Sequence, residues 1–317
     1  LPAIEGLTAV IAAQGGAAES TVVGHPQRFS ATSAALLNGS LIQSWEYDDA
    51  HDDAFLHSYS SVLPAALAIG ERQASPGGDV IAAVCLGVDL ACRLSLVVAQ
   101  GRGFYHSATC GGFGAAAAAK LMGLDELGIL NSLGIVLSQT AGTSQASTDG
   151  ADSKCLQCGF AARAGVLSAL LAAQGVSGAR NVFEGAFGFF NLYMKSAADP
   201  APLASGLGET YLGDTLSFKP YPCCRGSHGA IDAALAMRSQ HSISAGDIER
   251  MSVSLPPVFF DFLNKQVELN ERALIDAQFS APYLIACAML RGEVSLTQFT
   301  PAAIGDPEVQ KLAHAVS

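Results

Sequence analysis

From about residue 79 towards 100 the chain reads as one helix that is apolar nearly all the way round. Val80, Val84, Leu86, Val88, Leu90, Leu94 and Val97 leave it no polar face, and a helix without a polar face has to be buried. Burying it takes other helices, so this stretch commits the chain to a large helical domain. The sequence supplies them. Ala34, Ala35, Leu37, Leu41, Ile42 and Trp45 fall at helical spacing after Ser30, whose hydroxyl can cap the turn. Further helices are predicted over 61–73, from the alanine run 115–119, over 126–140 and over 159–174. The first fifteen residues read as a helix ending at Gly15-Gly16, and Pro76-Gly77-Gly78 as a turn. Residues 175–188 form a loop anchored by Phe183 and Phe187. Asp89, Arg93 and Arg163 interrupt the apolar runs before any reaches the roughly 18 residues of a membrane helix.

Near Pro200 the texture changes. Residues 216–219 read as a strand and 225–239 as a helix. A turn at 244–247 leads into 248–255, where Ile248, Met251, Val253 and Leu255 alternate as in a strand. A last helix is predicted over 277–290. The fold class is therefore mainly α: a large all-helical domain, 1–205, with a smaller α/β (α+β) domain, 206–317. Half of the 317 residues are apolar, enough for cores of this size.

Only 14% of the residues are charged, against a usual quarter or so. One stretch stands out against that background. Glu46 to His57 packs five carboxylates and two imidazoles into twelve residues between two apolar helices. A polar loop held by buried helices is a good place for chemistry. The net charge of −11 argues against a nucleic-acid surface, since nothing supplies a basic stripe. The eight cysteines, most of them in apolar helices, read as reduced thiols of an intracellular chain. Cys155 and Cys158 could chelate zinc with Cys223 and Cys224, but adjacent cysteines are poorly spaced for one ion. Thr109 to Gly114 is glycine-rich yet lacks Gly-Lys-Ser/Thr and follows no clear strand, so close helix packing explains it better than phosphate binding.

Three segments carry groups suited to a carboxylate-rich ligand. One is the acidic loop ending at His57. One is His106, in a glycine-flanked loop. The third is basic: Lys154, then Lys219 and Arg225 around Pro220-Tyr221-Pro222-Cys223-Cys224. Removing a proton next to a carboxylate needs a base that works near neutral pH, which histidine provides. It also needs positive charge or hydrogen bonds to stabilise the enolate-like intermediate. These residues suit elimination, decarboxylation or epimerisation. The loop's Asp48, Asp49, His51, Asp52, Asp53 and His57 could instead hold a divalent metal ion.

Several stretches resemble the MmgE/PrpD family, which includes 2-methylcitrate dehydratase, cis-aconitate decarboxylase and iminodisuccinate epimerase. They are Tyr47-Asp48-Asp49 with His57, Pro64-Ala65-Ala66-Leu67-Ala68, the run Phe113 to Leu124, and Gly159 to Leu167. Then come Lys219 to Arg225 with His228, and Asp276 to Tyr283. They run in family order over nearly the whole chain. The resemblance implies a homodimer with its active site between helical domain and lid, no metal and no organic cofactor. It also implies a small di- or tricarboxylate as substrate. The charge and the interrupted apolar runs lead one to expect no nucleic-acid or membrane partner, and the expected setting is cytoplasmic, with a mitochondrial one as the alternative. The roles it implies are catalytic for Asp48, Asp49, His57, His106 and Lys154, and substrate-binding for Lys219, Cys224, Arg225 and Tyr283.

The departures have consequences. His57 is followed by Ser58 where the family often has proline, and Ala50 replaces a threonine. Gln157 and Cys224 stand where imidazoles are carried, Cys224 where cis-aconitate decarboxylases carry a histidine. Both changes favour a generic dehydratase-like activity over decarboxylation; the first reading is a lyase of the 2-methylcitrate dehydratase type, and an iminodisuccinate-type epimerase using the same groups stays open as an alternative. A non-catalytic carboxylate-binding relative is the reading from another class. The chain is also shorter than typical members at both ends, and the resemblance leads one to expect a lid that runs further at its C-terminus.

Overall fold

The computed structural model describes residues 1–98, 103–193, 200–270 and 273–317. The end of the helix predicted to reach residue 100 and the start of the following loop lie outside the described residues. The fold is mainly α with a small α/β part. Helices α1 (Pro2–Gln14), α2 (Ala31–Ser44), α3 (Tyr59–Gln73), α4 (Gly77–Val98), α5 (His106–Ala116) and α6 (Glu126–Leu137) are followed by the short α7 (Gln145–Thr148) and the long α8 (Ser153–Ala173). Then come α9 (Phe189–Tyr193), α10 (Ala201–Ala204), α11 (His228–His241), α12 (Pro257–Leu263), α13 (Ala273–Gln278), α14 (Ala281–Arg291), α15 (Pro301–Ile304) and α16 (Pro307–Ala313). The strands are two residues each. β1 (Ser20–Thr21) pairs antiparallel with β2 (Arg28–Phe29), and β3 (Asp49–Ala50) with β4 (Ser217–Phe218).

The chain divides into two compact units. The first comprises Leu1–Ser44, Asp48–Ser144 and Cys155–Phe218; the second comprises Trp45–Tyr47, Gln145–Lys154 and Lys219–Ser317.

In the first unit, small residues let helices approach closely. A Cβ on Gly39 of α2 would lie 2.8 Å from the Ser60 carbonyl and 2.9 Å from the Gly159 Cα of α8. Ser60 is four residues before Pro64, which has no N–H to give back to it. The glycine-rich segment behaves as its composition predicts: a Cβ on Gly114 of α5 would lie 2.5 Å from the Gly87 carbonyl of α4. An alanine-rich core (Ala34, Leu37, Ala65, Ile69, Ala162, Val166) and an aromatic-containing one (Leu94, Phe113, Val136, Phe189, Phe190) fill the unit.

α4 and α8 are long and apolar enough to cross a membrane by composition, which the sequence reading did not anticipate. Both are mostly buried in the fold. α4 tolerates its two buried charges because they are paired: Arg93 Nε donates to Asp89 Oδ2 at 2.6 Å. The guanidinium also donates to the carbonyls of Pro202, Ser205 and Thr210, and Asp89 Oδ1 accepts from Leu212 N–H. The irregular segment around α10 is thus fastened to α4 from inside. The N-terminal half of α4 differs from prediction, because Ile81, Cys85 and Leu86 are exposed.

The second unit is built on α11, α13, α14 and α16, with Ile231, Leu263, Tyr283, Leu284 and Phe299 in its core. Two predicted elements change here. The strand over 248–255 does not form: Met251 makes one parallel bridge to Val316, with Met251 N–H to Ala315 and Val253 N–H to Ser317. Alternation alone cannot make a strand that pairs over so few residues. The helix over 277–290 is two helices, because the Ser280 hydroxyl accepts from Tyr283 N–H and caps α14, with Pro282 in its first turn.

Candidate active site

In the first unit the acidic stretch folds into a loop closed by His51 N–H to the Leu56 carbonyl at 2.9 Å. This closure sorts the carboxylates. Asp52 and Asp53 are exposed at the tip, while Asp48 and Asp49 are buried. Asp49 is occupied by α3. Its Oδ2 accepts from Ser58 N–H (2.8 Å) and Ser58 Oγ (2.9 Å), and its Oδ1 from Tyr59 N–H (3.0 Å). A carboxylate that takes the first N–H groups of a helix is a cap, worth about 0.5–2 kcal/mol. Ser58 gives a backbone N–H that proline could not. Burial, then the neighbouring Asp48, pushes Asp49 up to about 6.

His57 is the loop's reachable base. Its Nδ1 lies 2.6 Å from the Asp49 carbonyl oxygen. A carbonyl only accepts, so Nδ1 carries the proton and Nε2 the lone pair. The Asp48 carboxylate, itself held by Ser60 Oγ at 3.0 Å, is 3.9 Å from Nδ1. Positive charge on the ring after it takes a proton therefore meets a fixed negative one. The His57 side chain is 17% exposed, against 0% for Asp48.

His106 is the first residue of α5 rather than a loop residue, and it is buried. Its Nδ1 meets Ser95 Oγ at 2.9 Å, and that hydroxyl donates its proton to the Ala54 carbonyl. Ser95 can then only accept, so His106 also carries its proton on Nδ1. The two histidine segments are stitched together, since His57 N–H donates to Ser107 Oγ at 2.9 Å. The structure thus brings Asp48, Asp49, His57 and His106 into one cluster.

The metal reading of the loop does not survive this geometry. Among the described residues no group of three or more His, Cys, Asp or Glu is placed to hold an ion. His51 is spent on structure: Nδ1 accepts from Ala54 N–H, and Nε2 donates to Thr215 Oγ1 at 3.0 Å. The cysteines are free thiols, and burial pushes the Cys223 thiol up to about 12. Gln157 is also spent: it accepts from Thr143 N–H (2.8 Å) and donates to the Thr143 carbonyl (3.1 Å). A mostly apolar cavity of about 210 Å³ beside it, lined by Ala108, Gly112, Val136 and Phe160 among others, contains none of the acid/base residues.

In the second unit Lys154 and Lys219 converge on Glu46. Lys154 Nζ pairs with Glu46 Oε1, and Lys219 Nζ donates to Oε2 at 2.7 Å. All three are buried. Lys154 sits in the first turn of α8, with its Nζ 5.0 Å from the centre of the Phe279 ring. Glu46 is the residue the sequence reading missed. It was visible as part of the acidic stretch, and a signal existed: two isolated lysines in a lysine-poor chain need a counter-charge if buried.

Beyond Lys219 the chain turns through Cys224, whose N–H donates to the Gln278 carbonyl at 3.0 Å, into a short 3-10 turn at Arg225–Ser227. His228 holds that turn. Its Nε2 donates to the Cys223 carbonyl (3.3 Å), and its Nδ1 faces Arg225 Nη1 (3.5 Å). Tyr283 is elsewhere. It is fully buried in the core of the unit and its hydroxyl donates to the Gln298 carbonyl. A ring enclosed in this way is a packing residue, which corrects its expected place against substrate.

Burial, with the charges of Lys219 and Arg225 adding to it, holds His228 down at about 4. The unfolded value is near 6.5. Between the two the unfolded chain binds the proton more tightly, so stability present above 6.5 is lost as pH falls towards 4. The expected size is roughly 3 kcal/mol. Urea unfolding from pH 7 to 4 checks it: His228→Gln should be less acid-sensitive than the parent, and equal sensitivity would remove the assignment.

The family model for the MmgE/PrpD N-terminal domain matches residues 1–200, and that for the MmgE/PrpD C-terminal domain matches residues 221–317. The chain belongs to the MmgE/PrpD family. Among relatives, the cis-aconitate decarboxylase-like protein oryM of Aspergillus oryzae is 30% identical over 92% of this chain and 65% of its own length. The cis-aconitate decarboxylase of Aspergillus terreus is 30% identical over 93% of this chain and 65% of its own. That of Homo sapiens is 29% identical over 94% and 63%. The chain thus spans a little under two thirds of the length of these MmgE/PrpD relatives.

Proposed function

We propose that this chain is the core of a lyase that reacts at the carbon next to a carboxylate of a small di- or tricarboxylic acid, working as a homodimer. The observation that carries the proposal is the buried set of two lysines against one glutamate. Two ammonium groups gathered at one buried point are the kind of group that holds a ligand carboxylate and developing enolate charge. The first unit supplies the complementary chemistry. His57 presents Nε2 as a proton acceptor, with Asp48 behind the ring to balance its charge. In this reading the histidines move the proton and the lysines hold carboxylate and enolate charge.

The finer reading placed first is elimination of water. Gln157, at a position where the family carries an imidazole, is closed on the Thr143 backbone, and Cys224 offers no imidazole at the other. Decarboxylation is the second reading, favoured by the names of the relatives. Proton NMR of the folded protein in deuterated water with 2-methylcitrate, citrate, cis-aconitate and iminodisuccinate separates them. Vinyl signals from 2-methylcitrate or citrate mean dehydration. Loss of a carboxylate from cis-aconitate means decarboxylation, and deuterium entering the α position of iminodisuccinate means epimerisation. No turnover and no exchange with any of the four would count against the proposal.

A further inference from the structure

Protein interiors are close-packed, with few voids larger than a water molecule. The first unit departs from that rule at the cavity of about 210 Å³ bounded by α5, by the end of α6 with the loop after it, and by α8. Its space comes from small residues. Ala108 and Gly112 lie on adjacent turns of α5, and Ala161 and Ala164 on adjacent turns of α8. A Cβ on Gly112 would meet two other lining side chains at ordinary contact distance, 3.6 Å from Val136 Cγ2 and 4.0 Å from Ala161 Cβ. The loop wall is tied in place. The Tyr193 hydroxyl donates to the Thr140 carbonyl at 2.6 Å, Tyr105 N–H donates to the Gly142 carbonyl at 3.3 Å, and Gln157 holds both backbone groups of Thr143. A wall fixed by its own hydrogen bonds is preformed, as ligand sites usually are. Phe160, 47% exposed, and Ala141, also exposed, belong to the lining, so the cavity reaches the surface on their side.

The chemistry of the lining selects the occupant. Among the described residues it contains no charged side chain. An ionised group would lose its hydration there without gaining a partner, which is costly. The polar side chains of Gln139, Thr140 and Gln157 are engaged by the protein. Gln139 Nε2 donates to Ser168 Oγ at 2.9 Å, Thr140 Oγ1 donates to the Val136 carbonyl at 3.0 Å, and Gln157 is closed on Thr143. Water in the cavity therefore finds few hydrogen bonds, while an apolar guest buries its own surface and that of the wall. Apolar cavities of about 150 Å³ are large enough for benzene. We infer that this cavity is a binding site for one small, uncharged, apolar molecule: a single aromatic ring or a branched aliphatic group of similar size. The inference does not rest on the carboxylate chemistry proposed above, because none of the acid/base residues lines the cavity.

The test is methyl NMR of the full chain titrated with toluene and, separately, with benzoate, which carries the same ring with a charge. Toluene should shift the methyl resonances of Ala108, Val136, Ala161 and Ala164 together, along one saturating curve. Benzoate should reach the same shifts only at concentrations about tenfold higher or more. Gly112→Ala adds one methyl to the space, at a helix position where alanine is the better helix former, and should weaken toluene about threefold or more. Gly112→Leu fills much more of the cavity and should abolish saturable binding. If the leucine variant does not fold, the alanine variant carries the comparison. Shifts that grow in proportion to toluene without saturating overturn the inference, and so does equal toluene affinity in the parent and Gly112→Ala. Benzoate matching toluene at these methyls overturns the stated ligand class. Toluene binding only in dilute monomer, and shut out where the chain self-associates, would mean that a second copy covers the cavity, and the inference falls.

Discussion

His57→Ala is expected to lower turnover by about 10²–10⁴-fold, the usual contribution of a positioned general base, while carboxylate affinity changes little. The split follows from where the charges are. The positive groups proposed to hold carboxylates are Lys154 and Lys219, and the substitution touches neither. What it removes is a ring whose tautomer is set by the Asp49 carbonyl and whose positive form is balanced by Asp48. The fold should survive, because the ring is partly exposed and its bond to the Asp49 carbonyl is worth about 0.5–1.5 kcal/mol. The His57 N–H to Ser107 is backbone and stays. Steady-state kinetics on whichever acid the NMR series identifies, with kcat and KM resolved, provides the check. A fall in KM-dependent binding alone would make His57 a ligand contact instead of a base. Unchanged turnover would move the base to His106, which also carries its proton on Nδ1.

Much of the helical architecture could be read from the sequence, since burial of apolar faces sets it and the spacing of those faces is visible residue by residue. The helix from Ala31 and the close packing around Gly114 are of this kind. What could not be read depended on partners distant in the chain. Residues 248–255 alternate like a strand, yet a strand needs a neighbour, and Met251 finds one bridge. Helix α14 begins at Ala281 because the Ser280 side chain turns back to cap it, although the apolar pattern runs on through. The division into units shows the same limit, because Trp45–Tyr47 and Gln145–Lys154 belong with residues beyond 218. No single boundary expresses that. The site was legible as chemistry and less so as geometry. The acidic stretch stood out, but composition could not sort Asp49, which caps α3, from Asp48, which faces His57. Nor could it show that Glu46, at the edge of the same stretch, is the counter-ion of two lysines more than a hundred residues away in the chain. Tyr283 looked equally available in sequence, and its burial follows from the core that closes around it.

Arg93→Met should be the most destabilising single change among the polar residues of the first unit, by about 3–5 kcal/mol. Arg93 is 2% exposed and donates to four separate oxygens: Asp89 Oδ2 and the carbonyls of Pro202, Ser205 and Thr210. Methionine fills much of the same space, so the cavity is small and what remains is electrostatic. Asp89 stays buried without its cation, and three carbonyls lose a donor. The double variant Asp89→Leu with Arg93→Met separates these causes. Replacing both members of a buried pair with apolar groups is often neutral or stabilising, so if the pair alone mattered, the double variant would recover most of the loss. The carbonyls predict otherwise. Each one left unsatisfied costs about 1–3 kcal/mol, and Leu212 N–H loses its acceptor when Asp89 goes. Recovery should therefore be partial, and the segment around α10 should exchange its amide protons faster in both variants than in the parent. Urea midpoints together with hydrogen exchange would decide it. Full recovery with unchanged exchange would mean that Arg93 serves only to neutralise Asp89, and that packing by other residues holds the 200–216 segment on α4.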